Sequence, residues 1–196
     1  MNQKQLIENG VYNILEALEG PEDLTLGFRD GISKTPVRVA KAYIDEIFSG
    51  YDVDPASLLA TTFESEPVDE MVIVRNIPVY SMCEHHILPF IGKAHVAYLP
   101  ANNRIVGISK LARVVNAYAR RLQVQERLTQ QVANTIDNVL MPKGVAVMMS
   151  CEHLCMTMRG VQSYGTQTIT SCLLGVFRKP EVREEFFRLV AIGDSA

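Results

Sequence analysis

Two short windows restrict this chain more than anything else in it. The sequence holds four cysteines and four histidines, and six of those eight fall in Cys83-Glu84-His85-His86 and Cys151-Glu152-His153-Leu154-Cys155. Thiolate sulfur and imidazole nitrogen are the donors with which proteins hold zinc. Any fold for this chain therefore has to carry two windows, separated by everything from Ile87 to Ser150, to one place. The remaining pair, His95 and Cys172, fits the ordinary roles of a satisfied polar group and a small hydrophobe.

The windows offer more ligands than one tetrahedral site needs. Structural zinc sites use four protein ligands, whereas catalytic ones use three and leave a position for water. If residues 151–155 are extended, Cys151, His153 and Cys155 share a face. Their outer sulfurs then sit about 13 Å apart at about 3.3 Å per residue. Two sulfurs on one zinc are only about 4 Å apart, so one of the two is spare. In the first window Cys83 and His85 share a face and His86 points away. Pairing Cys83 with His86 thus requires a bend or bulge near Glu84. Spacing alone leaves His85 and His86 as alternatives, and leaves open whether the site has three ligands or four.

Hydrophobic periodicity predicts an α+β protein. Leu6, Ile7, Val11, Ile14, Leu15 and Leu18 recur at helical spacing up to Gly20-Pro21. A second helix is expected from Thr35, read as its cap, with Pro36 in the first turn and an apolar stripe ending before Gly50. These residues, 1–50, read as a helical segment, 51–70 as a connector, and 71–196 as an α+β domain. Within that domain MVIVR, VYSMCEH and KAHVAYLP are strand-like, with turns expected at Pro78, at Pro89 to Gly92 and at Pro100 to Asn103. Two helices follow (roughly 110–122 and 124–140), then strands over VAVMMSCEHLCMTMRG and TQTITSCLLGVF, and a short helix over EVREEFFRLV. Strands, a helix pair and further strands imply largely antiparallel pairing.

Composition narrows the function. A chain of 196 residues with 47% hydrophobic content supports a sizeable core. A net charge of −3 argues against nucleic-acid binding but leaves room for a small polyanion at a local basic cluster. No stretch reaches transmembrane length and residues 1–10 lack a signal-peptide core, so no membrane partner and a cytoplasmic location are expected. There the cysteines read as metal-binding or catalytic rather than disulfide-bonded. Ser109-Lys110-Leu111-Ala112-Arg113 opens a helix, with Ser109 where a cap belongs and Lys110 and Arg113 on one face. A helix N-terminus with two added cations suits phosphate. Arg159 adds a cation past Cys155, on the same face if the strand continues. Gln125 and Glu126 begin the next helix, where a carboxylate can accept from paired N–H donors such as guanine presents.

These residues resemble a family. Ser81-Met82-Cys83-Glu84-His85-His86-Ile87-Leu88-Pro89-Phe90 is similar to the first zinc motif of GTP cyclohydrolase I. Val106 to Val115 resembles its phosphate segment, Gln123 to Gln131 its guanine-recognition segment, and His153 to Val161 its second zinc motif. Thr35 to Lys41 and Phe48 to Tyr51 resemble its N-terminal helices. The likeness runs over nearly the whole chain, in the family's order.

The resemblance implies zinc ligands Cys83, His86 and Cys155, with Cys151 spare and a fourth position open. It implies hydrolytic opening of the guanine imidazole ring at C8 of GTP, loss of formate and rearrangement to 7,8-dihydroneopterin triphosphate. That is the first step of pterin and tetrahydrofolate biosynthesis. His85 and His153 match residues of proton transfer, Ser109 a serine of the sugar rearrangement, Lys110, Arg113 and Arg159 the triphosphate contacts, and Gln125 with Glu126 the guanine contacts. It also implies a tunnelling fold, in which antiparallel strands of several subunits join into a shared barrel, as a homodecamer with active sites between subunits. One departure is Ser150-Cys151, where the family usually has an acidic and a small residue; packing is the expected role of this extra thiol. Two rivals remain: a structural zinc module closed by Cys83, His86, Cys151 and Cys155, and GTP ring opening that stalls before pterin closure.

Overall fold

The computed structural model describes residues 1–20, 27–64, 66, 68–101 and 103–192. Expectations for Pro21, for Ser65 and Pro67 in the connector and for Asn102 in the turn lie outside them. The chain divides into two compact units, Met1–Ser49 and Gly50–Ala196.

In the first unit, helix α1 spans Gln3–Glu19. Its start is held reciprocally: Asn2 Oδ1 accepts from the Gln5 amide at 2.9 Å, and Gln5 Oε1 accepts from the Asn2 amide at 3.1 Å. Gly20, at φ +62, ends it in a conformation that costs glycine little. Helix α2 spans Thr35–Ala42, with Pro36 in its first turn. Lys34, not Thr35, is the cap, so the expected side-chain cap does not form. A π-helical turn, Tyr43–Ile47, follows.

The second unit begins with close backbone packing. A Cβ on Gly50 would lie 2.7 Å from the Arg120 carbonyl oxygen, which demands glycine. The expected connector is partly structured: Leu59 is fully buried, and β1 (Thr62–Glu64) pairs with β4 (Arg104–Val106). The main sheet contains β2 (Val72–Cys83), β3 (Pro89–Leu99), β5 (Leu122–Gln123), β6 (Gly144–His153) and β7 (Gln167–Gly175), in the order β5-β2-β3-β6-β7. Every pairing is antiparallel except the short β2–β5 contact.

Two expected turns are corrected. Pro78 lies inside β2, opposite Lys93; the irregularity is a bulge between Val74 and Ile77, with Asn76 at φ +56. Proline is tolerated there because β5 reaches only Met82 and Cys83, leaving that edge of β2 without a strand partner among the described residues. The second turn falls at Glu84–Leu88, and Pro89 already begins β3.

One sheet face carries Val79, Val96, Val147, Met149 and Cys151, packed against α3 (Ile108–Ala119) and α4 (Gln125–Leu140). Burying each such valine contributes roughly 1.5–3 kcal/mol. On the other face Ala97 and Ala146 pack against Phe177, Phe186 and Val190, the last two on the closing helix Pro180–Ala191. Arg75, at the bulge, donates to the carbonyls of Leu189 and Ile192 at the end of that helix, the first at 2.9 Å. Tyr80, Ile91 and Ile169 remain exposed on the strands.

Candidate metal centre

The bend required near Glu84 is a tight turn rather than a bulge. β2 ends at Cys83, whose amide donates to the Leu88 carbonyl at 2.8 Å while its own carbonyl accepts from the Ile87 amide at 2.9 Å. Ile87 is held at φ +51, a conformation strained for a β-branched residue. This turn swings His86 back towards the strand end, so that His86 Nδ1 lies 3.7 Å and His85 Nδ1 3.9 Å from Cys83 Sγ.

The second window is corrected in the same sense. β6 stops at His153, and Leu154–Thr157 forms a single helical turn, α5. Cys155 therefore leaves the sheet, whereas Cys151 stays in it, 1% exposed. Cys83, His86 and Cys155 bring their ligand atoms within 4.8 Å of one another, a group that could hold a metal ion. Cys151 is not part of it. Burial pushes the Cys151 thiol up to about 12, so it stays protonated and is a poor donor. It faces Gly92, where a Cβ would lie 2.8 Å from its sulfur and 2.6 Å from its Cα. Burial also raises the Cys155 thiol, reinforced by the neighbouring Cys83.

Around this group stand several of the predicted residues. Arg159 Nη1 is 3.1 Å from His86 Nε2. It reaches there from beyond the α5 turn, not along a continued strand face. His153 stacks on Phe90, centroids 4.7 Å apart and nearly parallel, and its Nε2 is 2.7 Å from Gln125 Oε1. Burial lowers the His153 pKa, with Glu126 opposing the shift. The Gln125 side chain is turned inward, 1% exposed, and its Nε2 lies within hydrogen-bonding reach of the carbonyls of Met149 (3.2 Å) and Thr168 (2.9 Å) and of Thr170 Oγ1 (3.1 Å). Glu126, beside it, is exposed.

The other two phosphate candidates, Lys110 and Arg113, lie on α3. Gly107, not Ser109, caps α3; Ser109 lies within the first turn, exposed, because the chain enters the helix two residues earlier than expected. Lys110 is half-buried and Arg113 exposed, and among the described residues no hydrogen bond or ion pair joins either side chain to the cysteine-histidine group. Glu84, Arg127 and Phe90 also stand at the site, with no role expected of them from the sequence. Arg127 stands four residues after Gln123, and its Nε donates to Gln123 Oε1 at 3.1 Å, but Gln123 ends β5 before the helix begins, so no helical spacing marks the pair. Phe90 faces His153 by strand register, which no local pattern encodes.

An α+β chain with a Cys-His-Cys group at the end of its sheet defines a candidate metalloprotein. The chain belongs to the GTP cyclohydrolase I family, whose model matches residues 7–191. It is 53% identical over 186 residues to a GTP cyclohydrolase 1 of Desulforamulus reducens, covering 94% of this chain and 95% of that one. A GTP cyclohydrolase 1 of Pelotomaculum thermopropionicum is 52% identical over 192 residues, 97% of this chain and 98% of the relative. A solved archaeosine synthase QueF-Like, in the apo form, aligns with a TM-score of 0.45 at 16% identity over 57% of this chain and 97% of that chain, a likeness too loose to bear on the fold.

Proposed function

We propose that this chain is a zinc-dependent GTP cyclohydrolase I, opening the guanine imidazole ring of GTP at C8, releasing formate and forming 7,8-dihydroneopterin triphosphate. The observation that carries this reading is the convergence of Cys83, His86 and Cys155 within 4.8 Å, with Cys151 left out. Three protein donors of this kind are the set of an open, catalytic site rather than a closed structural one. Zinc, when bound, makes water nucleophilic near neutral pH.

The chain's own side chains supply the rest. His153, held by Phe90 and Gln125 and pushed towards its neutral form by burial, is suited to accept and return a proton. His85, exposed on the metal turn, is the second proton carrier. Glu126 recognises the guanine edge. Gln125, whose amide is engaged within the subunit, serves the base through the placement of His153. Arg159, Lys110 and Arg113 bind the triphosphate, and Ser109 assists the sugar rearrangement.

Among the described residues no hydrogen bond or ion pair joins Lys110 or Arg113 to the cysteine-histidine group, in keeping with a site assembled from more than one copy. The exposed Tyr80, Ile91 and Ile169 supply apolar strand surface for the shared barrel of a tunnelling-fold homodecamer. No helix among the described residues is long and apolar enough to cross a membrane, in keeping with a cytoplasmic enzyme.

The test follows formate release and dihydropterin absorbance together on zinc-loaded protein, with Cys155→Ala and Cys151→Ala alongside. Both signals should rise in step, Cys155→Ala should be inactive, and Cys151→Ala should keep most activity. GTP left untouched by folded, zinc-loaded protein would overturn the proposal. GTP consumed without formate would instead establish the stalled reaction, and equal damage from both cysteine variants the structural module.

A further inference from the structure

We infer that Arg127 is a positioning residue for the metal centre: through a two-pronged ion pair with Glu84 it holds the turn carrying His85 and His86 in its metal-binding shape. The inference rests on the reading of Cys83, His86 and Cys155 as zinc ligands. Arg127 Nη1 donates to Glu84 Oε1 at 3.3 Å and Nη2 to Glu84 Oε2. The same guanidinium is oriented from behind. Its Nε donates to Gln123 Oε1 at 3.1 Å and its Nη2 to the Leu122 carbonyl at 3.1 Å.

Gln123 is itself fixed. It is 2% exposed, and its Nε2 donates to the Tyr118 carbonyl at 3.0 Å and to Gln131 Oε1 at 2.8 Å. Its carbonyl accepts from the Glu84 amide at 3.0 Å. A chain of hydrogen bonds therefore runs from a buried glutamine, through one planar guanidinium, to the first residue of the metal turn.

The turn needs such a brace. Ile87 sits at φ +51, so the backbone that brings His86 to Cys83 is not the one its sequence prefers. Arg127 lies two residues after Gln125, which engages His153 from the same helical turn. The start of α4 thus sets both halves of the site. The Glu84 and Arg127 side chains are 32% and 42% exposed, a setting in which an ion pair adds little to global stability. Its effect should fall on geometry and metal binding instead.

The experiment measures zinc affinity by competition with a chromogenic chelator, the visible spectrum of the cobalt(II)-loaded protein, and the thermal midpoint of each metal-free variant. Wild type should bind zinc and give thiolate-to-cobalt bands of a tetrahedral site. Arg127→Gln should weaken zinc by roughly ten- to a hundredfold and alter the cobalt bands, as loss of a residue that orients a metal ligand does, with little change in midpoint. Arg127→Lys should recover only part of the affinity, since an ammonium cannot make the fork. Arg75→Ala, at the far end of β2, is the comparison: a lower midpoint with an unchanged cobalt spectrum.

Wild-type affinity and an unaltered cobalt spectrum in Arg127→Gln would overturn the inference while leaving the metal reading intact. Failure of wild type to bind zinc or cobalt would sink both. If Arg127→Gln does not fold, Glu84→Gln, which breaks the same pair by an isosteric change, carries the same expectation and the same refutation.

Discussion

Replacing Gln125 by leucine keeps the volume of a fully buried side chain and removes all of its hydrogen bonds. Those bonds join His153 Nε2 at 2.7 Å, the Thr168 carbonyl at 2.9 Å and, at 3.1–3.2 Å, Thr170 Oγ1 and the Met149 carbonyl. An amide has two N–H donors, so about three bonds are lost at a time, each about 1 kcal/mol. The expected destabilisation is about 3 kcal/mol, or roughly 6–12 °C in midpoint for a chain of this size.

His153 also loses the partner that orients its ring. On the proposed mechanism kcat should fall roughly ten- to a hundredfold while KM for GTP moves little. Gln125→Glu adds a test of sign. The introduced carboxylate would face carbonyl oxygens at 1% exposure, so its folded-state pKa is raised. That variant should be most stable below about pH 4.3 and lose stability as pH rises, while the leucine variant does not. Thermal scans from pH 5 to 8 and steady-state kinetics read both effects. A leucine variant with an unchanged midpoint and a raised KM alone would show that Gln125 contacts the base directly, and the positioning argument would fail.

Gly92→Ala should cost about 3 kcal/mol or more in urea unfolding, because its Cβ would overlap the Ser150 carbonyl oxygen and sit 2.6 Å from Cys151 Cα. Adding Cys151→Ala should not rescue it, since both of those contacts are backbone; rescue would disprove the close-approach argument. Between pH 9 and 10.5, wild type should lose about 1 kcal/mol per pH unit more than Cys151→Ala. A thiol raised to about 12 contributes stability below its ordinary value near 9 and loses it as pH climbs towards 12. Parallel curves for the two proteins would refute the burial of that thiol. Arg75→Ala should cost about 1–2 kcal/mol in thermal unfolding by stripping the last-turn carbonyls of Pro180–Ala191 of their donor; no shift would refute the capping role.

Much of this protein follows from order along the chain. The apolar period of Leu6 to Leu18 and of the helix pair, the β-branched run that opens β2 and the apolar stretches of β3 and β6 are local signals, and local backbone preference realised them as helices and strands. The clustering of cysteine and histidine in two windows marked the site before any geometry was known, because donor chemistry is a property of residue type. Spacing could not choose among the donors. That choice depends on where a strand stops: the Glu84–Leu88 turn is closed locally by Cys83 and Leu88 and tied to the distant Gln123, and β6 yields to a helical turn at Leu154. The Pro78 turn failed for a related reason, since an absent N–H matters only if a neighbouring strand wants it. The inward turn of Gln125 and the Arg127–Glu84 brace are likewise tertiary. A buried amide or a guanidinium takes whichever partners the fold leaves unpaired, and those partners lie tens of residues away in sequence.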